Sequence, residues 1–157
     1  MPPLLDASHV RKVYRGGGGL LGAQTTETVA VDDFTLAIDG DTPSFTTIAG
    51  ESGSGKTTIA RMLLGVQPPT SGTVRYRGID IGQMDKEQMR AFRQDVQAIF
   101  QDPFEVYNPF YKIDHILTTP IEKFGLAKSP QQAAEQIDVA LRTVGLRPDE
   151  TLGRYPH

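Results

Sequence analysis

Residues Gly50-Glu51-Ser52-Gly53-Ser54-Gly55-Lys56-Thr57-Thr58 fit the pattern G-x-x-x-x-G-K-[ST], and no other stretch restricts the possible folds as tightly. The apolar run at 45–49 before them predicts a buried strand, and residues 58–64 after them predict a helix that stops at Gly65. Strand, glycine-rich turn and helix is the setting in which such a pattern becomes a phosphate site. The glycines let the backbone curl until successive N–H groups face one anion. The helix start adds unpaired N–H donors and the positive end of a dipole. Lys56 supplies a mobile charge for the β- and γ-phosphates, and the Thr57 hydroxyl is placed to ligate Mg²⁺. The bland alternative is a glycine-rich surface turn beside an unrelated Lys-Thr pair. The flanking strand and helix disfavour it, and nucleoside triphosphate binding is the implied chemistry.

The chain has 157 residues, enough for one domain with a real core. A formal net charge of -3 and a pI near 5.6 give no basic footprint for nucleic acid. Arg11, Lys12 and Arg15 form a small cluster that reads as a solvated strand edge. No window approaches the roughly 18 apolar residues of a membrane span, and the start, Met1-Pro2-Pro3-Leu4-Leu5-Asp6, lacks the basic and apolar parts of a signal peptide. With no cysteine, disulfides and thiolate metal sites are excluded, which suits a reducing cytosol. His9, His115 and His157 show no ligand spacing.

Residues 4–14 and 28–38 read as strands, joined through Gly16-Gly17-Gly18-Gly19, which reads as a mobile hairpin tip. A further short strand is expected at 73–77. Asp85 is a helix N-cap, with Gln88 three residues on completing a capping box, and Met89, Phe92 and Val96 follow at near-helical spacing. Residues 96–100 read as a strand, and 113–124 as a helix interrupted by Pro120. The clearest helix starts with Ser129 as cap and Pro130 at its first position, carries Ala133, Ile137, Ala140, Leu141 and Val144 along one face, and stops at Gly145.

A phosphate loop alone fits several enzyme classes, and residues 96–104 narrow the choice. A glutamine at a strand end, before an Asp-Pro turn, can reach toward the γ-phosphate and Mg²⁺. Residues 50–58, together with Gln101-Asp102-Pro103 and Asn108-Pro109, resemble the nucleotide-binding domain of ABC transporters. The likeness is strongest to the subfamily importing di- and oligopeptides, nickel or related solutes, although Glu105-Val106-Tyr107 departs from its usual small-residue filling. The resemblance implies ATP and Mg²⁺ as cofactors. It makes Gly50, Glu51, Ser52, Gly53, Ser54, Gly55, Lys56, Thr57 and Thr58 the Walker A loop. It makes Gln101 the glutamine that senses γ-phosphate and metal, so that Lys56 and Gln101 carry the catalytic roles and Thr57 and Gln101 the metal. Tyr14 takes the place of the aromatic that stacks on adenine; an ordinary strand tyrosine is its alternative, as a polar strand-end residue is for Gln101.

The same resemblance implies partners. Residues 102–113 correspond to the surface that receives a coupling helix from the transmembrane subunits, and Phe104, Tyr107, Phe110 and Tyr111 are its aromatic anchors, unless they pack the helical subdomain. A second ATP-binding subunit completes the ATP sandwich, at the cytoplasmic face of the membrane. The implied fold is α/β: a P-loop NTPase core with an antiparallel β-subdomain over 1–112 and the start of a helical subdomain over 113–157, an incomplete domain. Residues 152–157 are similar to those just upstream of the LSGGQ signature, and neither that signature nor an apolar strand ending in Asp-Glu occurs in the sequence. Orienting the attacking water therefore lacks its carboxylate, and negligible hydrolysis by these residues alone is expected. The rival reading is a soluble ABC-type protein or another P-loop NTPase not coupled to transport; a GTPase is disfavoured by the lack of an Asn-Lys-x-Asp motif.

Overall fold

Alternating apolar residues in two long β-rich segments dictate the first layer. The computed structural model describes residues 2–16, 26–102 and 107–156. Expectations that fall on Gly17, Gly18, Gly19, Pro103, Phe104, Glu105, Val106 and His157 lie outside the described residues. The chain divides into two compact units, Met1–Gln97 and Ala98–His157, which are taken in turn.

In the first unit, β1 (Leu5–Gly16), β2 (Thr26–Ile38), β3 (Ser71–Tyr76) and β4 (Ile79–Asp80) form an antiparallel sheet in the order β2-β1-β3-β4. Leu5 and Ala7 face the core by simple alternation, but Val10 is buried too, which alternation alone forbids. A bulge resolves this: three steps along β1, from Ala7 to Val10, match two along β2, from Leu36 to Phe34. His9 lies in it with φ 48°, its backbone N–H on Thr35 Oγ1 at 3.1 Å and its ring on Asp33 at 3.1 Å. The β3–β4 turn places both Arg77 (φ 49°) and Gly78 (φ 80°) in the left-handed region, the backbone a two-residue hairpin favours.

Helix α1 (Lys56–Leu63) buries Ile59 and Met62, and α2 (Lys86–Asp95) buries Phe92, whose ring meets Tyr76 edge-on at 5.4 Å. These residues join Leu5, Ala7, Val10, Val31, Val74 and Ile81 in one core. The expected capping box is present: Asp85 accepts from the N–H groups of Glu87 and Gln88 at 2.9 and 2.8 Å, and Gln88 accepts from Asp85 N–H at 3.1 Å. The Arg11–Lys12–Arg15 cluster is solvated but lies on a central strand and not on a sheet edge, with Arg11 on Asp32 and Arg15 on Glu27 across the β1–β2 ladder.

Two expected strands are absent. Residues 45–49 and 96–100 carry no strand structure, and Phe45 and Ile99 are fully exposed. A strand is defined by hydrogen bonds to a neighbour, and among the described residues none runs beside either segment. Only Ile48 and Val96 pack against the core.

In the second unit, α3 (Ile113–Phe124) runs through Pro120 without interruption. The proline is exposed, and the Thr118 hydroxyl donates to the Asp114 carbonyl at 2.9 Å in the turn before it. Helix α4 (Pro130–Thr143) has its predicted start, with Ser129 Oγ accepting from Gln132 N–H at 3.2 Å. Gly145 ends it at φ 78°, and Leu146 N–H returns to the Leu141 carbonyl at 2.9 Å. Its buried stripe is narrower than expected: Ile137 and Leu141 are buried, whereas Ala140 and Val144 are exposed. A short α5 (Pro148–Thr151) follows, and Asp114 and Ile113 bind the backbone of Gly153 and Arg154 at 2.7 and 2.9 Å. Among the described residues, no helix is long and apolar enough to cross a membrane.

Candidate functional site: the phosphate-binding loop

Two glycines with left-handed backbone let residues 50–56 fold back on themselves. Gly53 has φ 81° and Gly55 φ 90°, and Ser54 N–H closes a turn on the Glu51 carbonyl at 3.2 Å. Gly55 is also pressed against β2, where an added Cβ would stand 2.3 Å from the Ala30 carbonyl oxygen. No other residue type fits both constraints. At Gly50 an added Cβ would meet Ser54 Oγ at 2.6 Å, so the turn is tight at its entry as well.

Lys56 spans this turn. Its ammonium donates to the carbonyls of Gly50 and Glu51 at 2.7 and 2.6 Å and approaches Ser54 Oγ at 3.4 Å. Helix α1 starts from Gly55 with no side-chain cap and no acidic residue in its first turn. Its first N–H donors and dipole end are thus not neutralised by a side chain of the helix's own first turn. Ile59 and Met62, one and two turns on, anchor the helix in the core, so the loop is held from its helical side. Thr57 is exposed and Thr58 half-buried.

Tyr14 comes to the same place. From β1, opposite Thr28, its hydroxyl donates to Gln67 Oε1 at 3.0 Å and stands 3.4 Å from Thr58 Oγ1. The Lys12 ammonium lies 5.7 Å from the centre of its ring. Hydrogen bonds donated to its oxygen, from the Thr58 hydroxyl and from Gln67 Nε2 at 2.9 Å, favour the phenolate and hold its phenol below the ordinary value of 10.0. Tyr14 and Thr58, the last residue of the loop, are therefore neighbours in space. Gln67 was not foreseen; an amide just past a helix stop carries no signal until the chain is seen to double back on β1.

Gln101 belongs to the second unit, exposed at the end of the 96–100 segment. Beyond it, Asn108 organises a turn: its side chain accepts from Phe110 N–H at 3.0 Å and its carbonyl from Tyr111 N–H at 3.1 Å. Of the expected aromatic anchors, Phe110 is exposed, Tyr111 stacks on His115 at 4.4 Å, and Tyr107 lines an apolar groove with Leu117, Leu141 and Val144. Among the described residues, no group of His, Cys, Asp or Glu could hold a metal ion.

Residues 36–157 match the family model for ABC transporter. The chain is 36% identical over 150 residues to the nickel import ATP-binding protein NikE of Rhodospirillum rubrum, covering 96% of this chain and 52% of that protein. It is 41% identical over 110 residues to the di/tripeptide transport ATP-binding protein DppF of Pseudomonas aeruginosa, covering 70% and 33%. The dimeric structure of MJ0796, a bacterial ABC transporter cassette, superposes with a TM-score of 0.77 at 23% identity, covering 97% of this chain and 61% of that one. At that identity the likeness shows the fold alone. The chain spans about half the length of the first of these curated relatives and a third of the second.

Proposed function

The chain belongs to the ABC transporter family, and on that premise we propose that its 50–58 loop binds the polyphosphate of ATP within a transport ATPase. The observation that carries this reading is the Lys56 ammonium folded over a glycine turn at an uncapped helix start. Every part of that arrangement favours one polyanion: a mobile cation, several N–H donors and a dipole end. When the triphosphate enters, Lys56 exchanges its two carbonyl partners for β- and γ-phosphate oxygens, and the first-turn amides take the remaining charge.

Thr57 offers one neutral oxygen. With no acidic cage among the described residues, the donor set fits a Mg²⁺ ion held mainly by phosphate oxygens and water. When bound, Mg²⁺ neutralises charge on the β- and γ-phosphates. Gln101 is proposed to contact γ-phosphate and metal, and Tyr14 to stack on adenine. The sequence carries no apolar strand ending in Asp-Glu, so binding without steady turnover is proposed for these residues alone.

The proposed setting is a peripheral subunit at the cytoplasmic face of a membrane, working with a second ATP-binding subunit and with transmembrane subunits received at residues 102–113. Exposed Phe110 and Tyr111 suit such a contact. The two relatives described above are named for nickel import and di/tripeptide transport, and a small solute of that kind is the proposed cargo. Calorimetric titration with MgATP tests the site. Lys56→Ala should weaken binding at least about tenfold, the effect of one charge-assisted hydrogen bond, with an unchanged circular dichroism spectrum. Equal affinity in the two proteins would refute the reading.

A further inference from the structure

Helix α1 stops at Gly65, where an added Cβ would stand 3.0 Å from Ile81 and 3.1 Å from Phe92. The chain then doubles back along β1. The Val66 and Gln67 N–H groups share the Arg61 carbonyl at 3.0 and 3.1 Å, and Thr70 N–H reaches the Arg11 carbonyl at 2.7 Å. Val13 N–H donates to Thr70 Oγ1 at 3.0 Å, and the Lys12 ammonium to the Pro68 carbonyl at 2.7 Å. This seam fixes residues 67–70 against the strand that carries Tyr14. Gln67 then presents its amide to the Tyr14 hydroxyl, with Oε1 at 3.0 Å and Nε2 at 2.9 Å. From the other direction comes Thr58 Oγ1 at 3.4 Å, one residue beyond Thr57.

Tyr14 is 39% exposed near the end of a strand, where packing alone would leave its ring free to change rotamer. Two hydrogen bonds at the tip of the ring remove that freedom. We propose that Gln67 is a positioning residue for nucleobase recognition. By pinning the Tyr14 hydroxyl beside the first turn of α1, it orients the ring on which the base of a bound triphosphate stacks. The inference rests on the polyphosphate reading of the 50–58 loop and on the proposed stacking of the base on Tyr14. It goes beyond them in assigning the base-binding half of the site to an amide from the segment after α1. A ring ordered in advance costs the ligand less on binding, which corresponds to roughly twofold to tenfold in affinity.

The test uses two probes, MgATP and magnesium tripolyphosphate, the second carrying phosphate but no base. In Gln67→Leu, the ATP dissociation constant should rise roughly twofold to tenfold while that of tripolyphosphate stays constant. Tyr14→Phe, which keeps the ring and loses the hydroxyl, should reproduce this change, and the double variant should be no weaker than either single one. Gln67→Glu retains an acceptor for the hydroxyl and should keep the original ratio of the two affinities. Parallel loss of both ligands in Gln67→Leu would mean a structural staple and overturn the inference. So would an unchanged ATP affinity there, or additive losses in the double variant. Lys56→Ala separates the levels: if it weakens both probes while Gln67→Leu moves neither, only this inference fails. If Lys56→Ala leaves tripolyphosphate binding intact, the phosphate-loop reading fails and this inference with it.

Discussion

Strand β1 mixes apolar and polar residues while the 45–49 segment is wholly apolar or β-branched, yet only β1 becomes a strand. β1 has partners on both edges, β2 and β3, and its buried side chains reach α1 and α2 through a shared core. The 45–49 segment has no ladder, and Phe45 is fully exposed. The difference teaches that apolar composition creates a demand for burial, whereas backbone pairing creates the strand. It also shows what holds the site. Tyr14 rests on a paired strand, and the phosphate loop is fixed through α1 and through Gly55 against Ala30, while the segment that enters it is anchored only by Ile48.

The sharpest way to break this comparison is a pair of phenylalanine truncations. Phe92→Ala empties the middle of the core and should cost about 3–5 kcal/mol in urea unfolding of the first unit. Phe45→Ala removes a ring that touches little and should stay within about 0.5 kcal/mol. Similar losses would mean that the 45–49 segment is packed after all. Next in size is Gly55→Ala. At φ 90°, with 2.3 Å to the Ala30 oxygen, backbone strain alone should cost about 1–3 kcal/mol, and MgATP binding should weaken with it. Unchanged stability and affinity in that variant would show that β2 does not brace the loop.

The smallest effect is one of pH. Burial, then the hydrogen bond to Asp95, hold the Tyr76 phenol above its ordinary value of 10.0, because both favour the neutral form. Its contribution to stability is therefore complete below pH 10.0 and is lost as pH rises through the raised value. Tyr76→Phe should flatten this alkaline decline of the first unit, measured by thermal unfolding across pH 8–11. A decline of equal steepness in the variant would assign it to other groups.

What was legible in the sequence was local. The Gly50–Thr58 pattern, the Asp85–Gln88 capping box, the Ser129–Pro130 start and the Gly145 stop each depend on a few consecutive residues, and each is present. What was illegible needed a distant partner. The bulge at His9 is defined by β2, the two missing strands by neighbours absent among the described residues, and Gln67 by a strand more than fifty residues earlier. Pro120 misled for a related reason. Its ring lies on the exposed face of α3, and the helix continues past the one N–H it removes, which would have met the Ile116 carbonyl.

The central claim is that the backbone of residues 50–58 grips a polyphosphate. Amide-resolved NMR during a MgATP titration observes that backbone directly. The account predicts that the largest shifts fall on the amides of Gly53 through Thr58, saturate together, and are weakened in Lys56→Ala. Saturable binding that leaves those amides unmoved, with the shifts gathered elsewhere in the chain, would contradict it.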